Sequence, residues 1–333
     1  MPEVLNFQWH FTNRCNLRCR HCYQDVFLDT SSVDPVSVGG RLLDDLARHN
    51  LKATFALTGG EPLLVCDKLF AILELLETHP SAAGVNIITN ATLFNEKLLD
   101  EFSRFKKLTS FKVSLEGAGP KSNDFIRGRG NFERVVESLK MVCVRGRFEI
   151  YVMYTLHRGN FLEWQALFPL LDELGVTGLI LERFIPEGKG ELMRELVLDK
   201  SMWRELLQTL VSFCRLGEVD PAQLSPYKAF MIFVKERLLF GALCELGSSF
   251  CIMPDSALFP CRRLPLPLGY LDREDFIDIL EGSALLSSLR DKSKMGGKCR
   301  GCSFDFCVGC RALAYALFGD PLAEDIQCFL DAS

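Results

Sequence analysis

Cys15-Asn16-Leu17-Arg18-Cys19-Arg20-His21-Cys22 is the stretch whose reading decides the fold, with three thiols at spacings of four and three residues directly after the apolar run Leu5 to Phe11. A cubane iron–sulfur cluster takes four thiolates. A local triplet with no fourth cysteine nearby therefore leaves one iron open to an outside ligand. Zinc also takes thiolates, and a Cys-x2-Cys pair is its commonest sequence mark. The triplet by itself leaves both metals open.

Outward from the triplet, β-rich apolar runs alternate with amphipathic helical stretches to about residue 185. The strand candidates are Leu5 to Phe11, Ala53 to Thr58, Val85 to Thr89, Phe111 to Leu115, Glu149 to Thr155 and Gly178 to Arg183. Between them, sets such as Leu69, Ile72, Leu73 and Leu76 recur at helical spacing. Six such repeats predict parallel strands joined by crossover helices. The expected class is α/β, a partial (β/α)6 TIM barrel, open because six units rather than eight are present.

Barrels of this kind build their sites from loops at the carboxyl ends of the strands. The triplet follows the first strand, Gly59-Gly60-Glu61-Pro62 the second, Thr89-Asn90 ends the third, and Ser114-Leu115-Glu116-Gly117 ends the fourth. Pro186-Glu-Gly-Lys-Gly-Glu191 closes the repeats. Residues 1–190 are expected to form the barrel, 191–243 bridging helices and 244–333 a cysteine-rich C-terminal domain. The helices are expected at about 199–216 and 224–242, the second as an apolar bridge packed between domains.

The chain has 333 residues, of which 48% are hydrophobic, and a net charge of −5. That is enough for a barrel-sized unit with an appendage. It carries no basic footprint for nucleic acid and no polybasic membrane anchor. The N-terminus lacks a secretory pattern and no apolar run reaches membrane-spanning length, so a cytoplasmic location is expected. Fourteen cysteines in a reducing compartment point to metal or catalysis rather than disulfides. Cys143 and Cys214 extend helical core stripes and read as small buried hydrophobes. Cys66 is ambiguous.

With His21 before its last cysteine, the Cys-x3-Cys-x2-Cys triplet resembles the signature of the radical S-adenosylmethionine (SAM) superfamily. The resemblance implies a 4Fe-4S cluster on Cys15, Cys19 and Cys22 whose open iron binds the amino and carboxylate groups of SAM. Gly59, Gly60 and Glu61 resemble that family's Gly-Gly-Glu motif, which holds the SAM amino group. Asn90 and Ser114 resemble positions contacting the ribose or methionine carboxylate. Arg127, in Asp124-Phe-Ile-Arg-Gly-Arg-Gly130, resembles an arginine suited to that carboxylate by bidentate geometry. His21 joins this set, Glu116 stands where relatives have Asp, and Ala91 stands where they usually have Gly.

Eight cysteines follow in the last ninety residues: Cys244, Cys251, Cys261, Cys299, Cys302, Cys307, Cys310 and Cys328. Taken alone, the two Cys-x2-Cys pairs look like a zinc ribbon. In combination they resemble the SPASM domain, which implies two auxiliary 4Fe-4S clusters and three clusters in all. By position, Cys244, Cys251, Cys261 and Cys310 would hold one, and Cys299, Cys302, Cys307 and Cys328 the other. Four thiolates each leave no open iron, which favours electron transfer over substrate coordination; a purely structural staple is the alternative.

The family implies cleavage of SAM to a 5′-deoxyadenosyl radical that abstracts hydrogen, an oxidoreductase chemistry with no catalytic residue identified beyond the SAM cluster. Relatives with this tail mostly modify peptides or proteins, by crosslinking, oxidation or enzyme maturation, so a peptide or protein substrate is expected. A low-potential donor, flavodoxin or ferredoxin, would supply electrons. The barrel starts within about five residues of Met1, so a separate peptide-recognition protein is expected. Modification of a small cofactor precursor such as a tetrapyrrole is the alternative. Arg262 and Arg263 follow Cys261, where sulfatase-maturing relatives carry an acid; this disfavours formylglycine formation and suits an anionic substrate. An electron carrier or zinc-ribbon protein would be the non-enzymatic readings.

Overall fold

In the computed structural model, residues 4–330 are described. Six parallel strands, β1 (Val4–His10), β2 (Lys52–Thr58), β3 (Ala82–Thr89), β4 (Leu108–Ser114), β5 (Glu149–Leu156) and β6 (Gly178–Arg183), run in chain order across the sheet. All six expected strands are present, within a few residues at each end. Their registers are parallel throughout, for example Phe7 beside Phe55 and Ile87 beside Phe111. This is the partial TIM barrel.

Period-2 burial sorts the side chains. On β4, Phe111 and Val113 are buried in the core packed under the helices, while Lys112 and Ser114 turn to the barrel interior. The helices α1 (Pro35–Arg48) and α2 (Cys66–Thr78) cover the first strands. Asp34 caps α1 by accepting from the Val36 and Ser37 amides, with Pro35 at the first helical position. Trp9 packs against Gly39 of α1 so closely that a Cβ there would lie 2.3 Å from the indole.

The segment 191–243 departs from expectation. A helix, α3 (Lys200–Phe213), capped by Asp199, lies within the first predicted span. The second predicted helix, 224–242, is instead a hairpin of β7 (Ala229–Phe233) and β8 (Leu239–Ala242), antiparallel to β6. Phe230, Ile232 and Val234 are buried while Ala229, Met231 and Phe233 are half-buried, a strand period. Aromatic and β-branched residues favour that choice. The open edge of β6 supplies the unpaired backbone groups that make the hairpin worthwhile.

The other edge is closed by the C-terminal region. Strand β9 (Ser249–Ile252) pairs parallel to β1, and β10 (Ala257–Phe259) and β11 (Gly269–Tyr270) follow antiparallel. This sets Cys251 beside Gln8 of β1. A second apolar cluster, including Ile126, Phe184, Leu264, Leu289 and Leu313, packs this region onto the barrel.

Candidate active site and cysteine centres

The triplet loop leaves β1 and is stitched to the turn after β2. The Gly60 amide donates to Thr12 O at 2.8 Å and the Glu61 amide to Arg14 O at 2.8 Å. Cβ atoms on Gly59 and Gly60 would lie 2.5 Å from Thr12 O and 2.3 Å from Arg14 O. The two glycines are therefore required by the approach of the triplet loop itself. Asp29 locks the lead-in further, accepting from Thr12 Oγ1 at 2.9 Å and the Asn13 amide at 2.7 Å.

Cys15, Cys19 and Cys22 line one cavity of about 500 Å³ in the barrel mouth, with Gly59, Gly60, Asn90, Ser114, His21 and Arg127 also on its wall. Glu61 is not on that wall. Its carboxylate is fully buried and accepts from Thr89 Oγ1 (2.7 Å), the Asn90 amide (2.7 Å) and the Leu63 amide (3.0 Å). Burial pushes the carboxyl above its ordinary pKa while those hydrogen bonds oppose. In this structure the group ties β2 to β3, and Gly59 and Gly60 are the motif's cavity-lining residues.

Asn90 donates from Nδ2 to Asn16 Oδ1 at 2.9 Å and lies 4.0 Å from Cys15 Sγ. The following Ala91 adopts φ of +60°, which explains why glycine is the easier residue there. Arg127 is engaged within the protein: Nη2 donates to Glu116 Oε1 at 2.5 Å and Nη1 lies 3.7 Å from Cys19 Sγ. His21 Nε2 is 3.0 Å from the same Glu116 oxygen, and the Thr155 amide donates to Oε2 at 2.7 Å. Burial alone would raise the Glu116 pKa, but Arg127 and His21 outweigh it and hold the carboxyl well below the usual range.

Glu116 is therefore the keystone of the triplet loop, clamping the residues beside Cys19 and Cys22. Sequence reading noted it only as a replacement for Asp. The available signal was a carboxylate just past the end of β4, where barrel strands present functional groups.

The later cysteines fall into two groups. Cys299, Cys302, Cys307 and Cys328 line one small cavity with Lys228 and Lys298. Lys228 Nζ is 3.7 Å and the Gly309 amide 3.4 Å from Cys307 Sγ, while Arg311 Nη2 and the Asp325 amide lie 3.9 and 3.5 Å from Cys299 Sγ. Cys244, Cys261 and Cys310 line a second cavity of about 370 Å³, and Cys251 is fully buried beside Arg262 and Cys261. Burial pushes the Cys244 and Cys251 thiols up to about 12. Among the described residues, no three His, Cys, Asp or Glu converge tightly enough for a single metal ion.

Asp325, unnoticed in the sequence, connects both groups. It pairs with Arg183 at 3.0 Å and Lys228 at 3.5 Å, accepts from the Cys310 amide at 2.9 Å and donates its own amide toward Cys299. Cys66 donates to Leu63 O at 3.2 Å, and Cys143 and Cys214 pack in the main core. Thiolate-only donor sets flanked by N–H groups and cations fit iron–sulfur ligation, which such groups tune.

The triplet cavity and the 370 Å³ cavity share a wall that includes Gln8, Lys112, Glu182, Arg183, Arg262 and Arg263. Arg262 bridges the two cysteine regions: its Nε donates to His10 Nδ1 at 3.0 Å and its guanidinium stacks 3.7 Å over Tyr23. No helix among the described residues is long and apolar enough to cross a membrane.

The barrel is thus open and parallel, with the three cysteines that follow its first strand lining the cavity at its mouth. Residues 9–168 match the Radical SAM superfamily, so the chain carries a radical SAM domain, and it is an enzyme. Such a domain implies a 4Fe-4S cluster and SAM binding. The chain is similar to the AdoMet-dependent heme synthase of Methanosarcina barkeri, 28% identical over 96% of this chain and 95% of that one. It is also similar to the mycofactocin maturase of Mycobacterium ulcerans, 24% identical over 96% and 86%. Among solved structures, anSMEcpe with bound AdoMet superposes with a TM-score of 0.73 at 18% identity, covering 98% of this chain and 94% of that one.

Proposed function

We propose that this enzyme abstracts hydrogen from a tetrapyrrole bearing carboxylate side chains, a heme precursor or close analogue. The observation that carries this reading is the wall shared by the two cavities, which presents Lys112, Arg183, Arg262 and Arg263 against the single carboxylate Glu182. Asp325 lies behind Arg183 and offsets it. A low-dielectric chamber with excess positive charge favours a polyanion. The heme synthase relative supports the same reading, being more similar and more completely covered than the maturase. This reverses the order expected from the cysteine tail, where peptide came first.

Cys15, Cys19 and Cys22 would hold the SAM cluster, and the two C-terminal quartets an auxiliary cluster each. When bound, the first cluster and SAM supply the deoxyadenosyl radical. The residues of the chain do the rest. Gly59 and Gly60 form a side-chain-free wall beside the triplet. Glu116 fixes Arg127, whose charge stands beside Cys19 and would offset that of a thiolate there. The cations of the chamber orient the substrate's carboxylates. An external low-potential donor protein would reduce the first cluster.

Peptide modification is the second reading, favoured by the maturase relative. Anaerobic protein should hold about twelve irons, four per cubane. With SAM and dithionite it should change the mass of iron coproporphyrin, a tetra-carboxylate, and leave peptides untouched. Conversion of a peptide with no change in any porphyrin would refute the proposal.

A further inference from the structure

We infer that Lys112 is the residue that receives a substrate carboxylate inside the barrel, on the side of the chamber facing the Cys244, Cys261 and Cys310 group. The inference rests on the tetrapyrrole reading above and names the group that positions such a substrate.

Lys112 lies on the interior face of β4, between Phe111 and Val113, which are buried in the core. It lines both cavities and so stands at their junction. Every other cation on the shared wall is engaged. Arg263 is ion-paired with Glu182, Arg183 with Asp325 at 3.0 Å, and Arg262 donates to His10 and stacks on Tyr23. The charge that acts on Lys112 is Glu182, which Arg263 already holds. Its parallel neighbours across the sheet are Ile88 and Tyr151, neither of which is an anion.

An ammonium withdrawn from bulk water whose nearest carboxylate is already paired with another cation is costly to the fold. A chain keeps such a group where a ligand supplies the missing charge. Burial correspondingly lowers the Lys112 pKa, as expected for a site that is under-compensated before its anion arrives. Asn86, on the same interior, leaves its buried Oδ1 without a partner among the described residues and so adds a second unsatisfied polar atom to this floor.

The test is a Soret-band titration of the anaerobic, cluster-loaded enzyme with iron coproporphyrin and, separately, with its tetramethyl ester. Wild type should bind the tetra-acid more tightly than the ester. Lys112→Met should weaken tetra-acid binding about ten- to a hundred-fold, the equivalent of one charge-assisted hydrogen bond, and leave ester binding within about threefold. Lys112→Arg should retain most of the affinity. Iron content should not change, and the ligand-free Met variant should melt no lower than wild type, since an uncompensated ammonium has been removed. No spectral change with wild type would overturn both the substrate reading and this inference. Binding by wild type that is equal in Lys112→Met, or a Met variant with lowered melting and unchanged acid-to-ester discrimination, would overturn the inference alone and make Lys112 structural.

Discussion

Replacing Glu116 by Gln should destabilise the triplet loop more than any surface charge change. The carboxylate side chain is 1% exposed and accepts from His21, Arg127 and the Thr155 amide. An amide preserves the shape and the bond from Thr155 but turns donors toward donors, leaving the Arg127 guanidinium inside without a counter-charge. Breaking one member of a buried pair costs about 3–5 kcal/mol. At roughly 2 °C per kcal/mol for a chain of this size, melting should fall by about 6–10 °C, measured by anaerobic differential scanning fluorimetry beside iron content. The double variant Glu116→Gln with Arg127→Met should recover at least half of that loss, because neutralising both partners removes the orphaned charge. The sign with pH follows from the depressed carboxyl. Its contribution is complete above the ordinary carboxylate pKa of about 4.3, and declines as pH falls below that toward the lower folded-state value. A fall of less than 2 °C in the single variant, or a double variant as unstable as the single, would refute the clamp.

Gly60→Ala should lower melting by the equivalent of about 1–3 kcal/mol of overpacking and reduce iron loading at the triplet, since its Cβ would meet Arg14 O at 2.3 Å; unchanged iron and melting would contradict the stitched geometry. Alanine at any cysteine of the triplet or the two quartets should remove about four irons of twelve, whereas Cys143→Ala and Cys214→Ala, both in the core, should leave iron analysis as in wild type. Ile232→Ala, fully buried on β7, should cost about 2–5 kcal/mol while Leu238→Ala, 52% exposed beyond the hairpin turn, should stay within about 0.5 kcal/mol; similar effects at both sites would argue against the strand placement.

The barrel was legible because each of its strands is a short β-rich run with turn residues at its end, and because side-chain alternation is a local property of the backbone. The triplet, the glycine pair, Asn90 and Ser114 were placed at the mouth by their position at or after a strand end, Arg127, at the end of helix Pro120–Arg127, by the resemblance alone, and all line one cavity. The hairpin at 229–242 was not legible. Its apolar residues suit a helix or a strand, and the choice was made by the unpaired edge of β6 more than forty residues earlier. The partners of Glu61 were not legible either, because Thr89 and Asn90 come from the neighbouring strand and its end.

The one-dimensional order of residues determines which segments become strands, which loops carry thiols and which strand ends face the mouth, because these follow from period and spacing along the chain. Tertiary structure alone decides that Glu116 clamps His21 across 95 positions, that Asp325 meets Arg183 across 142, and that the carboxylate acting on Lys112, Glu182, is ion-paired with Arg263 instead. Electrostatic pairing acts over a few ångströms in space, and only the folded chain sets which charges come within that reach.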